Sequence, residues 1–322
     1  MLRTYFDNRQ NTAHNVPSQY LWSVGISVHR GCRDAHDDSD VAVTRTQRKV
    51  GVILGVTLLS GAVLWIAWLI IRPPLINVGG YRLEARLKGT GNPTVVFETG
   101  FTGDILLYWK LQNRIAEHTR TLVYERAGLG RSDPGPQPRT AEQMARDLHS
   151  LLAALDVRPP VVLVGHSAGG LFMRVFAHDY PAEVAAMVFI DPATEASYER
   201  MRQSSPKDWQ AMETKLPAGL RRQWVALPAS FDEARSAWPL PPIRYVMITA
   251  MKPLGEWGLK SREDMEAWPR EHQALLSSLP STMTTNIILP QADHLSVLKE
   301  PAVAKAILDT VEEVRARRLT MD

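Results

Sequence analysis

The stretch VVLVGHSAGG, Val161 to Gly170, holds the residue types and spacing that acyl-transfer chemistry needs. An apolar, mostly β-branched run leads into Gly165-His166-Ser167-Ala168-Gly169, and the helical pattern LFMRVFAHDY follows. A serine presented at an abrupt strand-to-helix turn occupies a strained backbone conformation. The residues two positions either side must lack side chains, or they would collide with adjacent elements. The helix that follows aims its N-terminus at the same point, where it favours negative charge. Strand, G-x-S-x-G turn and helix together point to Ser167 as a nucleophile rather than to a glycine-rich turn.

A serine hydroxyl is a weak nucleophile near neutral pH and needs a base. Of the nine histidines, His166 neighbours the serine and its side chain points elsewhere, while His149 and His178 sit inside helical patterns. His294, in NIILPQADHLSVLKEP, comes late in the chain on a loop after a strand, which makes it the expected base.

The elements that must position these residues are legible as alternation. Apolar runs at 94–98, 121–125, 161–165, 187–191, 244–249 and 286–289 read as strands buried on both faces of a parallel sheet. YRLEARL, Tyr81 to Leu87, alternates and suits a half-exposed antiparallel edge. Thr140 with Gln143 fits a capping box, and Met144, Leu148, Leu151 and Leu155 mark one helix face. A second helix is expected from Pro301, with Val303, Ile307, Val311 and Val314 inward. The pattern implies an α/β fold, an open sheet with helices on both faces, whose ligands bind beyond the carboxyl ends of the strands. Some fifty residues between Asp191 and Ile243 exceed a single crossover and read as a helical cap at roughly 194–241, rich in Met and Trp.

The near-balanced charge of +3 on 322 residues, with no block of like charge, argues against nucleic acid as a partner. A single cysteine, Cys32, excludes an intramolecular disulfide framework and a cysteine metal site. Neither a phosphate-binding nor a dinucleotide fingerprint occurs, so no cofactor and no metal is expected. Val50 to Ile71 is uncharged and as a helix would span roughly 33 Å, enough for one membrane crossing at 50–72. Arg45, Arg48 and Lys49 precede it, which favours a cytoplasmic N-terminus and an extracytoplasmic remainder. Residues 1–49 are polar and aperiodic, and the run Arg33 to Asp40 with His36 reads as part of a solvated disordered tail. The domain expected to carry the chemistry is then 75–322.

From Val78 to Arg318 the chain resembles the α/β-hydrolase superfamily, in its lipase, esterase and pimeloyl-carrier methyl-esterase-like branch. The resemblance rests on VVFETGFTGD, YERAGLGRSDPG, the GHSAGG elbow, VFIDPA and the Asp293-His294 pair. It implies eight mainly parallel strands and a Ser-acid-His triad. It also implies an oxyanion hole made by the backbone N–H of Ala168 and of a residue after the third strand. Where the family often has His-Gly-X, this chain has Glu98-Thr99-Gly100-Phe101, which makes Phe101 the expected second donor. Tyr108 and Trp109 line an acyl pocket or belong to the core. The acid is open: Asp191 leads, because some members carry it at the end of the sixth strand, with Glu256 and Asp264 as alternatives. Glu125-Arg126 reads as a structural turn.

The expected function is hydrolysis of an apolar or lipid-like carboxylic ester through an acyl-serine. Acyl transfer and C–C or thioester hydrolysis would use the same residues. A catalytically dead, membrane-tethered binding protein is the reading from another class.

Overall fold

Short runs of β-branched residues form the central strands because helices shield them on both faces, whereas the last run, at 286–289, is half-exposed at the sheet edge rather than buried on both faces as expected. The computed structural model describes residues 50, 53, 56, 57, 60 and 61, and residues 72–319 apart from 205, 253–261 and 281–282, without the side chains of 208 and 262–265. One unit comprises residues 1–72 and the other 73–322.

In the larger unit β1 (Leu75–Asn77), β2 (Arg82–Lys88), β3 (Val95–Glu98), β4 (Thr121–Tyr124), β5 (Val161–His166), β6 (Val184–Ile190), β7 (Arg244–Ala250) and β8 (Thr284–Leu289) form one sheet. Its order is β1-β2-β4-β3-β5-β6-β7-β8; β2 pairs antiparallel with both β1 and β4, and all other pairings are parallel. The helices are α1 (Trp109–Ala116), α2 (Ala141–Ala154), α3 (Ala168–Asp179), α4 (Glu195–Ser204), α5 (Pro206–Lys215), α6 (Ala218–Ser236), α7 (Arg262–Ser278) and α8 (Pro301–Leu319).

Alternate side chains of the central strands meet α1 and α8. Val95 and Phe97 of β3, Val162 and Val164 of β5, and Val188 and Ile190 of β6 share one core with Ile115 of α1 and the expected stripe Val303, Ile307, Val311 and Val314 of α8. Helices α2 and α3 pack against each other beneath α6. Thr140 caps α2 as expected, accepting from the Gln143 N–H, but the Gln143 side chain turns to Asp147 instead of closing the box.

One further expectation is corrected. Tyr81 to Leu87 is not an edge, because the three residues of β1 pair outside β2. Its apparent alternation came from Glu84, which is buried and satisfied by the Arg131 backbone N–H and guanidinium. The expected transmembrane helix at 50–72 gains no support: among the described residues no helix is long and apolar enough to cross a membrane. Most of that stretch and all of the 1–49 tail lie outside the described residues. The positions described within it are helical and exposed, and the Thr57 and Ser60 hydroxyls fold back onto the Ile53 and Val56 carbonyls at 2.9 and 2.7 Å.

The chain between β6 and β7 folds into α4, α5 and α6, with Pro228 inside α6. At the turn after β5, the glycines are required by contact. A Cβ on Gly169 would lie 2.2 Å from the Glu98 carbonyl oxygen, and one on Gly165 would lie 2.6 Å from the Met173 sulfur. Backbone cannot retreat as a flexible side chain can. Gly169→Ala is therefore expected to destabilise the protein by about 1–3 kcal/mol in chemical denaturation. An unchanged midpoint would show that this close approach is not required.

Candidate active site

The carboxyl ends of β5, β6 and β7, with the loop after β8, converge on one point. Ser167 follows β5 with φ 54° and ψ −126°, a conformation an L-residue holds only under constraint. The constraint is visible: its N–H donates to the Ile190 carbonyl at 3.2 Å, and its own carbonyl accepts from Gly170 and Ala193, each at 3.0 Å. Asp191, at the end of β6, also has positive φ, 44°, and its N–H donates to the Ile248 carbonyl at 2.7 Å. Two strained turns are thus stitched to each other and to β7.

The structure brings Asp191 and His294 together. His294 Nδ1 donates to Asp191 Oδ2 at 2.6 Å, while Asp191 Oδ1 accepts from the Ala250 N–H and from Trp268 Nε1, both at 2.9 Å. Burial pushes the Asp191 carboxyl upward, but the hydrogen bond and charge of His294, the charge of His272 and the bond from Trp268 outweigh it. The group rests below the usual carboxylate range and stays ionised. With Nδ1–H committed to the carboxylate, Nε2 of His294 is left as the basic nitrogen.

Two further histidines hold this arrangement. His166 Nε2 donates to the His294 carbonyl at 2.7 Å, and the two rings lie 4.6 Å apart, which seats His294 beside the elbow. Burial, and then the nearby charge of His294, push His166 down to about 3, so it is neutral. His272 of α7 donates from Nε2 to the Pro192 carbonyl at 2.7 Å and accepts from the Thr249 hydroxyl at 2.9 Å. Burial lowers its pKa as well. It pins the turn that carries Asp191.

The segment after β3 runs against the nucleophile: a Cβ on Gly100 would lie 3.4 Å from Ser167 Cβ. The Gly100 N–H donates to the Tyr108 hydroxyl at 3.3 Å. Among the described residues the N–H groups of Phe101 and Ala168 donate to nothing within the protein. Above this loop the Phe101 ring meets Trp224 of α6 edge-on at 5.6 Å, and Trp224 packs on Trp209 of α5 at 4.1 Å.

Tyr108 is a core residue packed on Phe97, not an acyl-pocket wall, and Trp109 lies on the surface with the Arg86 guanidinium 3.5 Å above its ring. Glu256 and the side chain of Asp264 lie outside the described residues. Sequence reasoning missed His166, Trp268 and His272 as supports. The only local signal was the one-turn spacing of Trp268 and His272 on a single helix face.

A model of the alpha/beta hydrolase fold matches residues 93–237, less than half of the chain. Among curated relatives, the probable transporter efuK of Hormonema carpetanum is 37% identical over 147 residues, 43% of this chain and 21% of that protein. The 2-(acetamidomethylene)succinate hydrolase of Mesorhizobium japonicum is 31% identical over 116 residues, 36% of this chain and 41% of that protein. The chain thus spans less than half the length of these relatives. The crystal structure of the enol-lactonase of Burkholderia xenovorans LB400 superposes with a TM-score of 0.55 at 18% identity, covering 74% of this chain and 100% of that one. The chain has the α/β-hydrolase fold.

The neutral buried histidines make stability pH-dependent. His166 titrates near 3 when folded and near 6.5 when unfolded, so between those values only the unfolded chain binds its proton. Stability is full above about pH 6.5 and falls as the pH drops towards 3. His166→Gln is expected to flatten that limb by about 1.4 kcal/mol per pH unit in denaturation at stepped pH. An unaltered slope would show that His166 protonates freely in the fold.

Proposed function

We propose that the chain is a serine hydrolase that cleaves carboxylic esters through an acyl-serine intermediate. The observation that carries this reading is the pairing of His294 with the buried Asp191 carboxylate, at the same carboxyl edge of the sheet as a strained serine. Ser167 Oγ attacks the ester carbonyl as His294 Nε2 takes its proton, and Asp191 holds the imidazole in the required tautomer and supports the imidazolium that forms. The backbone N–H groups of Phe101 and Ala168 stabilise the tetrahedral oxyanion. The imidazolium then protonates the leaving alkoxide, and water, deprotonated by the same nitrogen, releases the acid. Likeness to the Mesorhizobium hydrolase supports hydrolysis as the reaction class. The wall of Phe101, Trp209 and Trp224 supports an apolar group on the substrate. Acyl transfer to an alcohol, or C–C or thioester cleavage, would use the same three residues. Epoxide and haloalkane hydrolysis in this fold need an aspartate where Ser167 stands.

Turnover of p-nitrophenyl esters of rising acyl length is expected to show a preference for longer chains. Ser167→Ala and His294→Ala should lower it on the order of 10⁶-fold, and Asp191→Asn on the order of 10⁴-fold. If Asp191→Asn keeps turnover within a few-fold, the acid is another residue. An inactive wild type would favour the binding-protein reading.

Residues 50–71 are proposed, on composition alone, as a membrane tether with the hydrolase domain outside the cytoplasm. A chain lacking residues 1–74 is expected in the soluble fraction, and its recovery in membranes would contradict a tether.

A further inference from the structure

The segment that carries the Phe101 donor has no regular secondary structure, so something else must fix its direction. Arg126, fully buried after β4, supplies it. Its Nη1 donates to Glu98 Oε1 at 2.8 Å, to the Thr99 carbonyl at 2.7 Å and to Thr99 Oγ1 at 3.2 Å. Its Nη2 donates to the carbonyls of Gly100 at 2.7 Å and Phe101 at 3.0 Å. Neutralising Glu98, which also accepts from the Tyr124 hydroxyl, would need only one of these bonds. The other bonds gather the carbonyls of three successive residues onto a single planar fork.

The consequence follows from peptide geometry. In a trans peptide the C=O and N–H point in opposite directions. The Gly100 carbonyl is drawn to Arg126 and also accepts from the Gly103 N–H at 3.0 Å. The N–H of the same peptide plane belongs to Phe101 and is therefore turned away from Arg126. Gly100 lies against Ser167, so this is the orientation an oxyanion donor requires. The remaining guanidinium donor, Nε, reaches Gln223 Oε1 of the cap helix α6 at 3.0 Å. Gln223 neighbours Trp224, whose ring stands on Phe101.

We infer that Arg126, braced by Gln223 of the cap, is the positioning residue of the oxyanion hole and links the seating of the cap to the catalytic competence of the hole. The inference rests on the ester-hydrolase reading above. A lysine keeps the charge opposite Glu98 but cannot reproduce a planar fork with five N–H donors.

The test compares wild type with Arg126→Lys, Gln223→Leu and the charge-free pair Glu98→Gln/Arg126→Met. Each is assayed for kcat and KM on a p-nitrophenyl ester, for melting temperature, and for inhibition by an alkyl trifluoromethyl ketone. Addition of Ser167 to that ketone creates a tetrahedral oxyanion. Removing one oxyanion donor costs about 10²–10³ in kcat. Arg126→Lys and the charge-free pair are expected to lose kcat by on the order of 10²-fold with KM nearly unchanged, and to lose ketone affinity by a similar factor. Gln223→Leu should lose about tenfold in both. A purely structural role would lower the melting temperature and leave kcat and ketone affinity within threefold. Should Arg126→Lys fail to fold, the charge-free pair decides, since it buries no unpaired charge. An active wild type with unimpaired variants overturns this inference alone. A wild type that neither turns over the ester nor binds the ketone overturns the ester-hydrolase reading with it.

Discussion

A carboxylate taken out of water stays ionised only where donors replace its hydration, and Asp191 is surrounded by them. The Ala250 N–H and the Trp268 indole hold one oxygen, and His294 Nδ1 holds the other. Those donors arrive from the end of β7, from α7 and from the loop after β8. The positions of all three elements are therefore tied to a single buried charge. The neighbouring turns share the constraint, because Ser167 and Ala193 are bonded to each other through the serine carbonyl. Both strained residues at this edge are thus held by the same few bonds, with Gly165 and Gly169 supplying the room for them.

A second buried charge does comparable work at the loop after β3. Arg126 and Glu98 neutralise one another, and the donors left over organise the loop that carries Phe101. Burying an ion pair offers little net stability compared with an apolar core of the same volume. Its value here lies in direction: a guanidinium fork orients three carbonyls at once, which no apolar packing can do. The two clusters differ in what they position. One fixes the imidazole of His294, and the other fixes the carbonyls of residues 99–101.

The sheet and the elbow were legible in the sequence because both are local. Continuous β-branched runs, a G-x-S-x-G turn and a following helix are read within about ten residues of Ser167, and chain order led to His294. The acid was legible only in part: Asp191 led through the family resemblance, with Glu256 and Asp264 left open. Asp-Pro at 191–192 looks like any turn, and the donors that mark it as a charged site lie 59, 77 and 103 residues away in sequence. The edge assignment of Tyr81 to Leu87 failed for the opposite reason. A glutamate at position 84 looked exposed, when a partner 47 residues on satisfies it in the interior. Arg126 likewise read as a turn residue, because nothing near it announces the carbonyls it gathers.

Labelling by a fluorophosphonate, followed by mass spectrometry of the digested protein, tests the central claim most directly. The account predicts one phosphonylated residue, Ser167, in the native protein, and loss of the adduct after denaturation before exposure to the probe. Absence of an adduct on the folded wild-type chain, or an equal yield from Ser167→Ala, would contradict a serine activated by His294 and Asp191.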